Sequence, residues 1–276
     1  MEELKIKAPA KINIGLNVVS KRPDGYHNIE TIFYPLRLYD YLTITKANNF
    51  LFTSNNSALI STNDNLIIEA KEKLEKEIGQ KINVHIHLEK NIPIGGGLGG
   101  GSSDAASTLT GLNKFLELNL GYEKLLNLAL YIGSDVPFFL NPKPCFAESR
   151  GEKLSSLDFT ISYPILIVNP NIHISTQWAY NNISPQTPRF NLKDFTQEHI
   201  NAPDKLSQFL KNDFEEIVFE KYPEIKKLKE GLRERGADFA LMSGSGSTVF
   251  GIFRELPIAK KAERILRENY FTYIEN

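Results

Sequence analysis

Residues 93–103 read Pro93-Ile94-Gly95-Gly96-Gly97-Leu98-Gly99-Gly100-Gly101-Ser102-Ser103, six glycines closed by two serines. Glycines leave backbone N–H groups unshielded by side chains and free to adopt positive φ. Consecutive N–H groups turned inward form an anion nest, and the dipole of a helix starting behind them adds partial positive charge. Ser102 and Ser103 are expected to cap that helix; their hydroxyls can hydrogen-bond phosphate oxygens or approach a magnesium ion. This is chemistry for a polyphosphate. A Walker A loop needs a lysine that is missing here. The spacing G-x-G-x-x-G is met by Gly95, Gly97 and Gly100, but the dinucleotide motif needs a strand after its helix, and a second helix pattern follows instead. A flexible linker does not belong between an alternating strand and an amphipathic helix.

Other residues offer chemistry less insistently. Lys11 and Asn13 lie two apart on the polar face of an alternating strand, so both can serve one site or simply meet water. Asp135 sits between Gly133 and Pro137, where an aspartate is an ordinary turn residue. His85 and His87 share a strand face, a spacing two metal ligands can use. No third ligand is evident, so a solvated face is the simpler reading, and no metal site is expected from the protein's own ligands. Cys145 has no base partner in sequence, which gives no support for a nucleophile.

The elements that must position these groups follow from periodicity. Leu4, Ile6 and Ala8, then Ile12, Ile14, Leu16 and Val18, alternate with Lys5, Lys7, Lys11, Asn13 and Asn17; this predicts one or two strands around a break at Pro9. Arg22-Pro23-Asp24-Gly25 is a turn, with a second strand from about 29 to 44. Asn63 or Asp64 can cap a helix carrying Leu66, Ile67, Ala70, Leu74 and Ile78 and ending near Gly79. Ile82, Val84, Ile86 and Leu88 alternate as a strand. Helices follow around Ala105–Leu116 and Glu123–Ile132. Beyond residue 150 come a buried strand at 163–168, an irregular stretch to about 201 and helices near 203–220 and 223–235. Two strands joined by Ser243-Gly244-Ser245-Gly246-Ser247 and a helix with Ile258, Ala262, Ile265 and Leu266 close the chain. Strands and helices mix without βαβ alternation, so the class is α+β in two lobes.

Composition narrows the function. A 276-residue chain with 41% hydrophobic and 24% charged residues builds an ordinary globular core. With 32 Lys plus Arg against 33 Asp plus Glu, no overall field draws nucleic acid. One cysteine excludes an internal disulfide or a cysteine-based zinc finger. The N-terminus is unlike a signal peptide, and no aliphatic run could span a bilayer. A cytoplasmic protein acting on a small molecule, with neither nucleic acid nor membrane as partner, is expected.

Together with Pro9-Ala10-Lys11-Ile12-Asn13, Arg22-Pro23-Asp24-Gly25-Tyr26-His27, Gly133-Ser134-Asp135-Val136-Pro137-Phe138 and Ser243-Gly244-Ser245-Gly246-Ser247-Thr248, the glycine loop closely resembles the motifs of the GHMP kinase superfamily. The likeness runs from about residue 5 to 253. The long glycine–serine loop and the Asp-Gly-Tyr-His turn resemble the branch acting on a cytidine diphosphate-linked polyol of the non-mevalonate isoprenoid pathway. The resemblance implies an ATP-binding lobe over 1–157 and a second lobe over 158–276, with ATP and acceptor meeting in the cleft between lobes. It implies ATP with Mg2+ as donor and the polyol's 2-hydroxyl as acceptor. Pro93 to Ser103 would bind ATP, with Asn65 and Lys90 near the adenine; a helix start and a surface lysine remain equally good readings of those two. Asp135 would take the hydroxyl's proton, with Lys11 and Asn13 beside that hydroxyl. At an ordinary pKa of ~3.9 an aspartate is a weak base for an alcohol, but phosphoryl transfer relies mainly on positioning and charge. Lys11 could keep Asp135 ionised. Tyr26, His27, Thr176 and Tyr180 would form the cytidine pocket, with Trp178 as the alternative wall to Tyr180. Another GHMP kinase for a small alcohol, a phosphometabolite-binding regulator and a dinucleotide oxidoreductase are the competing readings.

Overall fold

A computed structural model of the chain describes residues 2–60 and 65–276. Its strands are β1 (Glu3–Lys21), β2 (His27–Lys46), β3 (Leu51–Ser54), β4 (Val84–Glu89), β5 (Cys145–Ser149), β6 (Lys153–Ser156), β7 (Ile165–Asn169), β8 (Phe239–Met242), β9 (Val249–Ile252) and β10 (Phe271–Glu275). Its helices are α1 (Leu66–Ile78), α2 (Gly100–Phe115), α3 (Tyr122–Ile132), α4 (Thr176–Asn182), α5 (Gln197–Ile200), α6 (Phe214–Lys221), α7 (Pro223–Glu234) and α8 (Leu256–Leu266). Packing gathers them into two units interleaved along the chain. One takes the chain up to Ala10, Arg37–Ile92 and Gly99–Pro142; the other takes Lys11–Leu36, Pro93–Leu98 and Lys143–Asn276.

β1 does not break at Pro9. The Lys11 and Asn13 N–H groups point away from β2, to Leu98 O and to Ser243 Oγ. Pro9 shares their alternation, so its missing N–H falls on the edge where β2 needs no donor. The alternation itself holds, since Ala8, Ile12, Ile14, Leu16 and Val18 are buried. The opposite face changes character along the strand: Lys5 and Lys7 are exposed, whereas Lys11, Asn13 and Asn17 are each 3% exposed.

In the first unit, β2 from Tyr41 to Lys46 pairs antiparallel with β4, and β4 pairs parallel with β3. Val84, Ile86 and Leu88 are buried, while His85 and His87 are half-buried on the other face and both reach Thr53 Oγ1, at 2.7 and 2.8 Å. Among the described residues no group of three or more His, Cys, Asp or Glu is arranged to hold a metal. Helices α1, α2 and α3 pack on one another; α1 buries Ile67, Ala70 and Leu74, the isoleucine and leucine each worth about 1.5–3 kcal/mol. The expected caps Asn63 and Asp64 lie outside the described residues. Asn65 is the N-cap, its Oδ1 accepting from the Ile67 N–H at 2.9 Å, and Gly79 closes the helix at φ 71°.

In the second unit, β2 from Ile29 to Phe33 pairs with β5, and β5 with β6. A separate antiparallel sheet has the order β10-β7-β9-β8, with α7 on β8 and β9 and α8 on β7 and β10. Leu166, Val168, Phe214, Leu228, Leu232, Val249 and Phe253 pack in one core beside it, while Ile165 and Ile167 are buried on the other face of β7. The helix expected near 203–220 is two pieces, a 3-10 turn Pro203–Gln208 and then α6. Asn212 and Asp213 divide them because their side chains bond backbone elsewhere. In α8 the buried face is Ala259, Ala262 and Leu266, and Ile258 and Ile265, placed in the apolar stripe by spacing, are exposed. No helix among the described residues is long and apolar enough to cross a membrane.

Candidate functional site

The first unit carries the helix start behind the glycines. Gly99 is the N-cap of α2, left-handed at φ 70°, with no side-chain cap; Ser102 and Ser103 lie inside the first turn instead of capping it. The first i→i−4 bond is Ser103 N–H to Gly99 O at 2.9 Å, so the N–H groups of Gly100, Gly101 and Ser102 have no acceptor within the helix. An anion suits that end. Ser103 is fully buried, and its Oγ has no hydrogen-bond partner among the described residues.

Beneath this turn lies a buried ion triad. Lys90 Nζ contacts Asp40 Oδ2 at 2.5 Å and Asp104 Oδ2 at 2.7 Å, with all three side chains at most 5% exposed. Asp40 Oδ1 also accepts from the N–H groups of Asn91 and Ile92. Burial pushes Asp104 up to about 7; Lys90 pulls it back and the Asp40 charge adds to the rise. Burial alone would lower Lys90, but Asp104 and Asp40 outweigh it and raise its pKa. Lys90 is therefore an interior cation in contact range of α2: a Cβ on Gly100 would come within 2.9 Å of its Nζ. Asn65 uses its Oδ1 on the α1 cap and its Nδ2 on Leu59 O. In the same unit Asp135 is half-buried as N-cap of the 3-10 turn Val136–Leu140, and its carboxylate makes no capping bond there.

The second unit holds Pro93–Leu98, Lys11 and Asn13. Gly97 has φ +77°, and a Cβ there would lie 2.1 Å from Ser243 O. Gly96 O accepts from Thr248 N–H at 3.1 Å. Lys11 Nζ donates to Asn13 Oδ1 at 2.6 Å and reaches Gly97 O at 3.4 Å. Asn13 Nδ2 donates to Thr31 Oγ1 at 2.9 Å, and Ser243 Oγ donates to Gly97 O at 2.9 Å. Lys11 and Asn13 thus belong to one buried network, as their spacing allowed. Thr31 and Ser243 complete it; Thr31 had no signal in sequence, and Ser243 could have been found from its glycine motif.

Still in that unit, His27 is 5% exposed and stacks on Tyr180, with ring centroids 5.2 Å apart and planes at 25°. Its Nδ1 is buried with no hydrogen-bond partner among the described residues. Burial, and then the charge of Lys21, lowers its pKa, so the ring is neutral at pH 7. Tyr26 is 53% exposed under the Arg150 guanidinium, 4.9 Å from the ring centre. Thr176 Oγ1 is 3.3 Å from Ser245 Oγ. Trp178 carries Lys221 Nζ 4.0 Å above its ring and packs edge-on to Tyr222. Cys145 is buried, which pushes its thiol up to about 12 and leaves it un-ionised.

The GHMP kinases N terminal domain family matches residues 65–142, and the GHMP kinases C terminal family matches residues 192–272. The 4-diphosphocytidyl-2-C-methyl-D-erythritol kinase of Chlorobium phaeobacteroides (strain BS1) is 42% identical, over 98% of this chain and 96% of that protein. The chain belongs to the GHMP kinase family, on the 4-diphosphocytidyl-2-C-methyl-D-erythritol kinase branch. The enzyme of that name from Cytophaga hutchinsonii is 43% identical over 90% of this chain and 92% of its own length. A crystal structure of 4-(cytidine 5'-diphospho)-2C-methyl-D-erythritol kinase superposes with a TM-score of 0.83 at 32% identity, covering 99% of this chain and 98% of that one. This GHMP kinase also contains two groups that sequence reasoning missed. Asp40 and Asp104 carried no signal, because nothing local marks a carboxylate that will meet a lysine 50 or 14 residues away.

Proposed function

We propose that the chain transfers the γ-phosphoryl group of ATP to the 2-hydroxyl of 4-diphosphocytidyl-2-C-methyl-D-erythritol, in the non-mevalonate isoprenoid pathway. The phosphates are held by Pro93 to Ser103, chiefly through the first-turn N–H groups of α2. Asn65 and Lys90 serve ATP indirectly, by fixing where α1 and α2 begin. Asp135 accepts the hydroxyl's proton, and Lys11 and Asn13 hold the acceptor oxygen and stabilise its developing charge. The Ser103 hydroxyl, unpartnered among the described residues, and Ser102 are suited to reach Mg2+, which usually keeps several waters and takes few protein oxygens. When bound with ATP, that ion would neutralise charge on the β- and γ-phosphates. The acceptor is a charged nucleotide-linked metabolite, and we place the reaction in the cytoplasm.

His27 carries the acceptor half of this reading. A buried ring nitrogen without a partner costs roughly 1–3 kcal/mol, and a cytosine edge would satisfy it. Tyr26 and Tyr180 hold the faces of the base, with Thr176 beside them. Trp178, with Lys221 over its ring, is the alternative wall. An ADP-release assay with and without the cytidyl substrate tests the proposal: ADP should appear one-for-one with phosphorylated product. If 2-C-methylerythritol phosphate without cytidine serves equally well, the cytidine assignment is wrong while the kinase reading stands.

A further inference from the structure

Three side chains at the start of α6 grip backbone from two distant parts of the chain. Asn212, 3% exposed, donates through Nδ2 to Met242 O at 2.7 Å and Gly244 O at 2.8 Å, while its Oδ1 accepts from the Phe214 N–H at 3.0 Å. Glu215 Oε1 accepts from the Met242 N–H at 3.0 Å. Asp213 Oδ2 accepts from the Val18 N–H at 2.7 Å, and Leu16 exchanges backbone bonds with Lys211 and Asp213 at 2.8 and 2.9 Å. One side of the clamp is therefore β1, five residues beyond Lys11. Its other side is the glycine turn after β8. That turn presents Ser243 Oγ, which accepts from the Asn13 N–H at 3.0 Å and donates to Gly97 O at 2.9 Å.

We propose that Asn212 is a positioning residue for phosphoryl transfer: it holds the Ser243–Gly246 turn in the register that fixes Asn13, and through it Lys11, against the Pro93–Leu98 arm. The inference rests on the functional reading above for what Lys11 and Asn13 do. The held turn is short and glycine-rich, with Gly244 and Gly246 both at positive φ, so it has many other conformations to adopt once released. Two hydrogen bonds from one amide remove that freedom.

Asn212→Asp isolates the claim, because it keeps the oxygen that caps Phe214 and deletes only the Nδ2 donor. At pH 8 the new carboxylate would face two carbonyl oxygens. Expected there is a kcat at least about tenfold below the parent, with both KM values within about threefold, and faster amide exchange at Asn13 and Thr248. A buried carboxylate among acceptors titrates high, so lowering the pH to 6 should restore a donor and raise the variant-to-parent kcat ratio. Lys211 and Asp213 beside it, and Glu215 with Lys229 at 2.6 Å, are present in both proteins and cancel in that ratio. A folded variant with parental exchange at Asn13 and Thr248 overturns the proposal. So does faster exchange with parental kcat at both pH values. Should Asn212→Asp not fold, Ser243→Ala must show the same kcat loss and faster Asn13 exchange, and parental behaviour overturns the proposal equally. If the parent releases no ADP with the cytidyl substrate, the functional reading fails, and the exchange measurement still decides whether Asn212 holds the turn.

Discussion

Two glycines of the loop should respond oppositely to a single methyl group. Gly97 sits at φ +77°, where its Cβ would fall 2.1 Å from Ser243 O. That oxygen is backbone, in a turn tied by Ser243 N–H to Thr248 O at 2.9 Å and by Gly246 N–H to Ser243 O at 3.0 Å, so it cannot swing aside. Gly97→Ala incurs about 1–2 kcal/mol for the left-handed backbone and about 1–3 kcal/mol for forced overlap. At roughly 2–4 °C per kcal/mol for a chain of this size, Tm should drop by about 5–15 °C. Gly101 is in the helix, and its Cβ would meet only Leu66 Cδ1, at 3.6 Å. Gly101→Ala should leave Tm unchanged or raise it by up to about 4 °C, since alanine is favoured over glycine in helices by about 1 kcal/mol. Only a group approaching the N–H row from outside can sense that methyl. Weakening one charge-assisted hydrogen bond by ~1.5 kcal/mol would raise KM for ATP roughly tenfold. Thermal melting and a coupled ADP-release assay on both variants measure all of this. Parental KM for ATP in Gly101→Ala would show that α2 does not cradle the triphosphate; parental Tm in Gly97→Ala would refute the steric account.

Asp135→Asn keeps shape but removes the proposed proton acceptor, so kcat should fall by roughly 100-fold or more with ATP affinity little changed; activity within a few-fold of the parent would remove Asp135 from the mechanism. Tyr180→Ala should raise KM for the cytidyl substrate by roughly 5- to 150-fold, the equivalent of about 1–3 kcal/mol of base stacking, and leave KM for ATP alone. Because His27 leans on the same ring, the upper part of that range is expected; an unchanged KM would move the test to Trp178→Ala. Asp104 has a folded pKa raised from 3.8 to about 7, so in that window the folded state keeps a proton that the unfolded state has released. Stability should therefore fall as pH rises from about 4 to about 7, by up to a few kcal/mol relative to Asp104→Asn. Urea unfolding of parent and variant at pH 5 and pH 8 checks this, and parallel curves would sink it.

What the sequence determined by itself was local. The alternation in β1 and β4 named their apolar faces, because side chains in a strand alternate with a period of two whatever lies opposite. Gly79 and Gly133 marked helix ends, and the glycine run with the four accompanying motifs was enough to identify the family. Local signals also misled where a partner came from elsewhere. Ser102 and Ser103 looked like caps, yet Gly99, left-handed at φ 70°, starts the helix one turn earlier. The polar face of β1 was left open at Lys11 and Asn13, since alternation reports which side is apolar and is silent on whether the other side meets water or buried backbone. Tertiary structure decided that it meets Thr31, Ser243 and Gly97, from segments 18 to 230 residues away. It likewise turned Lys90 into the centre of an ion triad and divided a continuous helical pattern at Asn212. The reason is common to these cases: periodicity and capping act between near neighbours, whereas a buried polar group must find its hydrogen bonds wherever the fold brings an acceptor or donor.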